Sequence, residues 1–101
     1  MSTPAPSKHV NRAILSGRVN AVRKSDDAIF TEVTLPSADE YSSPAVVEIR
    51  SKKRLGQVGE TVEIPVACGG WRGKVFQYTD RETGERHSRR PVVNAYAAIE
   101  D

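Results

Sequence analysis

The sequence predicts an all-β protein built as one small closed barrel, and three observations carry that expectation. No amphipathic stretch with helical spacing exceeds about two turns. Five or six short runs instead alternate apolar and polar residues or are rich in Val, Ile and Thr. Glycines interrupt them where a small barrel must bend its strands, and so many bent strands in roughly 90 residues favour a barrel over a sandwich. A chain of 101 residues with 38% hydrophobic content supplies a single core. Residues 1–10, opening "MSTPAPS", are too polar and Pro-rich to pack and are expected to form a flexible arm, leaving 11–101 as the folded domain.

The first strand is "RAILSGRVNAV", with Ala13, Leu15, Gly17 and Val19 on one face and Gly17 expected to mark a bulge or sharp bend. A polar turn, "RKSDD", leads into "AIFTEVTL". There Ile29, Thr31, Val33 and Leu35 share the core face, Phe30 points away from it, and Pro36 ends the strand. The turn-rich "PSADEYSSP" precedes a third strand, "AVVEIRS". Two glycines in "KKRLGQVGE" leave a helix there short or absent. In "TVEIPVACGGW" Val62, Ile64 and Val66 face one way, with Pro65 expected at an edge or bulge. "RGKVFQY" continues or pairs with that strand, "TDRETGER" is a hairpin loop with Gly84 at a positive φ, and "RPVVNAYAAIE" is the last strand.

Fifteen basic against thirteen acidic residues give a net charge of only +2, so total charge selects no partner class. The lone Cys68 excludes an internal disulfide and a multi-thiolate metal site, and fits a reducing, cytoplasmic setting as an inert buried thiol. No apolar run approaches the ~20 residues that cross a bilayer, so no membrane role is expected. Catalysis has little support: His9 lies in the arm and His87 in the hairpin, neither beside a patterned carboxylate pair, and Cys68 has no evident base. "GQVGE" lacks the ending of a phosphate-binding loop, and no cofactor, metal or small-molecule substrate is expected.

The informative stretch is Gly69 to Arg90, which holds the only Trp, one of two Phe, one of three Tyr and six of the fifteen Lys and Arg. On a continuous strand from Trp71 to Tyr78, Arg72, Lys74, Phe76 and Tyr78 share one face while Trp71, Gly73, Val75 and Gln77 share the other. Aromatic rings stack on unpaired bases at roughly 1–3 kcal/mol each while cations follow the phosphates, a pairing suited to single-stranded nucleic acid. Arg86, Arg89 and Arg90 add charge to the hairpin; "RSKKR", with Arg50, Lys52, Lys53 and Arg54, adds a second cluster, and Arg23 with Lys24 a third. Each feature has a plainer reading beside this one. Phe76, Tyr78 and Phe30 would serve equally as barrel core, Trp71 more readily so because it shares a face with Val75, "RSKKR" would serve as a solvated loop, and Arg89 and Arg90 as guards of an edge strand.

Three segments together, "NRAILSGRV", "GETVEIPVACGGW" and "YTDRETGERHSRRPVVNA", resemble the bacterial single-stranded DNA-binding protein family. The resemblance runs over nearly the whole chain from Asn11 and rests on the order of motifs that are individually weak. It implies a five-stranded OB-fold barrel with the usual helix shortened or absent. It also implies that Tyr78 stacks on bases beside Lys74. Phe76 stands where that family more often has a basic residue. The family's stacking Trp before the third strand is replaced at Ser43 or Pro44, with Tyr41 the nearest aromatic. A version without the family's long acidic tail looks like one from a phage, plasmid or integrating element, or a relative of the primosomal replication protein. The expected function is coating single-stranded DNA in replication, recombination or transfer, as a homodimer or homotetramer. The alternatives are a protein-interaction module of a replication complex and, within the same class, RNA binding.

Overall fold

The computed structural model describes residues 10–100, so the arm expected over 1–10 lies, apart from Val10, outside the described residues. Among these residues seven strands form: β1 (Arg12–Ser25), β2 (Ala28–Leu35), β3 (Ala45–Ser51), β4 (Thr61–Arg72), β5 (Phe76–Thr79), β6 (Arg86–Arg89) and β7 (Val92–Ala98). No helix occurs among the described residues. Five strands hydrogen-bond in a closed ring, β1-β2-β3-β7-β4 and back to β1, while β5 and β6 pair only with each other. Every ring pair is antiparallel except β3 with β7, a parallel seam of two residue pairs, Ile49 with Tyr96 and Arg50 with Ala97.

Alternation places the core where the pattern expects it. Val19, Val33, Ile49, Ile64 and Val66 are buried together, and Leu15, Val22, Val47 and Tyr96 pack against them from the ring's margins. Side chains with period two on five curved strands converge on one interior, and their removal from water stabilises each apolar residue by about 1.5–3 kcal/mol.

Three local expectations need correcting. The bulge in β1 is at Asn20, between Val19 and Ala21, and not at Gly17. Gly17 is required for a different reason, since a Cβ there would strike the Thr34 carbonyl and the Val33 side chain. Pro65 sits at neither an edge nor a bulge but opposite Ile14 within the β1–β4 ladder. Its carbonyl accepts from Ile99 N at 2.9 Å, so its backbone polar side faces the place where β7 has already ended. Cys68 is exposed, not buried. It continues the inner face of Ile64 and Val66, but β4 outruns the ring: beyond Cys68 its residues pair only with β7, and no other described strand covers the inner side of that two-stranded ribbon.

The strand expected to run unbroken from Trp71 to Tyr78 is interrupted at Gly73–Val75. Pro91, on the opposing chain segment, has no N–H to continue the ladder. Gly73 instead donates to the Pro91 carbonyl at 2.8 Å, and a Cβ on Gly73 would lie 3.2 Å from the Pro91 ring. Past this break the chain forms the β5–β6 hairpin. Its loop is closed by Asp80 N donating to Glu85 O at 2.9 Å, with Gly84 at φ 73° as its sequence position requires.

Candidate nucleic-acid interface

Because β1, β2 and β3 are adjacent, their registers set side chains in rows across the outer surface of the ring. Arg23 pairs with Phe30, and Phe30 with Arg50, making a cation–ring–cation row on three strands. The Arg23 guanidinium lies 4.3 Å from the Phe30 ring centroid, a cation–π contact, and donates to Glu48 at 3.0 Å. Phe30 and Arg50 also line a cleft of about 750 Å³ that opens where β3 and β7 splay apart. Trp71, 60% exposed, lines the same cleft from β4, and Tyr96 lines it from β7. A flat ring flanked by arginines, facing an indole across an open cleft, offers both a π-surface and counter-charge to a flexible polyanion.

The row exists because of the bulge. Counting by twos from buried Val19 would turn Arg23 inward, but the extra residue at Asn20 shifts the parity, so Val22 packs toward the core and Arg23 emerges. In the sequence Arg23 reads only as part of a turn cluster. The succession Val22–Arg23 after Val19 carries the signal, since an apolar residue on the supposed outer parity and an arginine on the inner one imply a slip.

The hairpin carries a second aromatic set. Phe76 pairs with Arg89 and Tyr78 with His87, so these four share one face of the ribbon. The ring centroids of Phe76 and Tyr78 are 6.1 Å apart and those of Tyr78 and His87 5.4 Å, all tilted. Phe76 and Tyr78 are 45% and 48% exposed, which removes them from the core. In the sequence His87 reads only as an unsupported catalytic candidate. Counting on from Gly84 places it opposite Tyr78, and its contact there is a tilted ring-to-ring one.

The other expected residues separate. Arg72 and Lys74 do not share a face with Phe76 and Tyr78: Arg72 pairs with Val92 at the end of β4, and Lys74 lies in the break. Arg86 pairs with Thr79 on the opposite face of the hairpin from Tyr78. Arg90 folds back, its Nε donating to the Gly73 carbonyl at 3.1 Å, and so pins the hairpin's base. Lys52, Lys53 and Arg54 form an exposed loop directly after Arg50 and Ser51. Tyr41, 91% exposed, stands in the β2–β3 connection. Among the described residues no group of three or more His, Cys, Asp or Glu is arranged to hold a metal ion.

Over 73 residues the chain is 37% identical to a DNA-binding protein of Escherichia phage If1, a match spanning 71% of this chain and 75% of that protein. No family model matches the chain, and no solved structure does. The relative is a phage protein, and the bacterial family whose motifs the sequence resembles is not where this match places the chain.

Proposed function

The chain belongs to the family of the phage If1 DNA-binding protein, and on that premise we propose that it is a non-enzymatic OB-fold protein that coats single-stranded DNA with little sequence preference. The observation that carries this is the Arg23–Phe30–Arg50 row opening on a cleft with Trp71 opposite. Ring faces stack on any base, and arginines donate to any phosphate, so the site reads the chemistry of an unpaired strand and not its sequence. Phe76, Tyr78, His87 and Arg89 extend the path onto the hairpin, and Lys52, Lys53 and Arg54 continue it past Arg50. The setting is cytoplasmic DNA replication, recombination or transfer.

One domain of this size covers a short tract, and we infer pairing into a dimer or tetramer. Ile14, 66% exposed beside Pro65 on the outer face, supports pairing through the first strand.

Titration with oligo-dT tests the proposal. Trp71 fluorescence should change on binding and recover in high salt, with log affinity falling linearly in log salt. Phe30→Ala should weaken binding by roughly 1–3 kcal/mol. Unchanged affinity in that variant would remove the row from the site, and a flat titration of the unaltered protein would end the DNA reading. Oligo-dT bound more tightly than oligo-U identifies DNA as the partner.

A further inference from the structure

The two strands of the parallel seam end side by side, and the residues just beyond them meet. The Glu100 carboxylate, two residues past β7, receives the backbone amides of Lys52 and Lys53, just past β3. Lys52 N lies 3.1 Å from Oε1 and 3.0 Å from Oε2, and Lys53 N lies 2.9 Å from Oε1. Two successive amides converging on two oxygens of one anion make a concave oxyanion receptor. Two amides and the charge of both lysines act on this carboxylate and hold it below its ordinary range, Lys53 N contributing most. The receptor does not depend on Glu100 for its shape. Ser51, itself buried, donates its hydroxyl to the Lys53 carbonyl at 2.5 Å and pins the turn from within. Neither lysine side chain has an ion-pair partner among the described residues.

We propose that the amides of Lys52 and Lys53 are a phosphate seat on the DNA path, occupied by the Glu100 carboxylate in the free protein and yielded to a backbone phosphate when single-stranded DNA binds. This rests on the DNA-binding reading above. The seat adjoins Arg50, so a strand stacked on Phe30 reaches it in its next step along β3. Glu100 is fully exposed, and exchanging one singly charged oxyanion for another there has little desolvation cost. A carboxylate tethered this close has a high effective concentration, so it lowers the apparent affinity for DNA by the fraction of time it holds the seat.

The test is NMR on the unaltered full chain, following the Glu100 carboxyl carbon through a pH titration, free and saturated with oligo-dT. In the free protein Glu100 should titrate below the ordinary carboxylate range, and in the complex it should return to that range while the Lys52 and Lys53 amide signals stay shifted. In parallel, Glu100→Gln should bind oligo-dT about three- to tenfold more tightly at low salt. The same charge change at Glu40→Gln, beyond the other end of β3, should alter affinity less than about twofold. A Glu100 titration unchanged by saturating DNA, or a Glu100→Gln affinity equal to or weaker than that of the unaltered protein, overturns the inference alone. Failure of the unaltered protein to bind oligo-dT overturns the DNA reading and this inference with it.

Discussion

Phe30 and Tyr78 are both aromatic residues on strands beside arginines, yet the molecule holds them differently. Phe30 sits in the middle of three hydrogen-bonded strands, half-buried, its ring capped by Arg23 and flanked by Arg50. Tyr78 sits on a hairpin of two four-residue strands whose partners are only each other, with Phe76 and His87 beside it and no core beneath. A two-stranded hairpin is marginal by itself, so under the proposed function its face would take final form on the DNA, whereas the ring holds Phe30 already oriented. On the proposed function one fold would thus supply a rigid seat and an adaptable one for a strand without fixed geometry.

The sharpest way to break that comparison is to attack the ring. Ile49 is 0% exposed and pairs with both Thr31 and Tyr96, so it sits under the seam that closes the ring. Ile49→Ala should destabilise the protein by about 2–5 kcal/mol in urea unfolding. Loss below about 1 kcal/mol would mean the seam is not closed in solution. Deleting side chains from the hairpin face should leave the unfolding midpoint nearly unchanged, because Phe76 and Tyr78 pack within the hairpin and not against the ring's core. A double-mutant cycle then separates the two seats. Phe30→Ala and Tyr78→Ala should each cost roughly 1–3 kcal/mol of oligo-dT affinity and should add to within about 0.5 kcal/mol, since the two share no contact. A double variant no weaker than the worse single one would leave only one seat in use.

The parts of this arrangement legible in the sequence are those decided within one strand. Alternation marks Val19, Val33, Ile49, Ile64 and Val66 as inward and Phe30 as outward because burial acts on every second residue of any covered strand. Parts decided between strands are not legible there. Cys68 has the right parity to be buried, but exposure depends on where β4 outruns β1. Trp71, which shares a face with Val75, reads more readily as core for the same reason, yet it is exposed and lines the open cleft. The face shared by Arg72, Lys74, Phe76 and Tyr78 holds only for a straight strand, and Pro91, on a segment distant in sequence, interrupts it. Glu100 carries no signal as an isolated acid, because the amides it holds belong to residues 48 positions earlier and one beyond.

The smallest effect expected concerns the interior of the ring itself. Thr31 is 0% exposed, and its Oγ1 has no hydrogen-bond partner among the described residues. It stands between Val22 and Ile49 in the register, among apolar neighbours on both sides. A buried hydroxyl without a partner loses its water without compensation, at a cost of about 1–3 kcal/mol. Thr31→Val keeps the β-branched shape that a central strand favours and replaces the hydroxyl with a methyl group. It should therefore stabilise the fold by about 1 kcal/mol, raising Tm by roughly 4–8 °C for a domain of this size. Oligo-dT affinity should not change, since Thr31 points inward and Phe30 beside it points out. A lower Tm would mean that the hydroxyl is satisfied inside the ring. The interior would then hold a polar group in use, and the division between an apolar interior serving only stability and an outer surface serving only binding would fail at its centre.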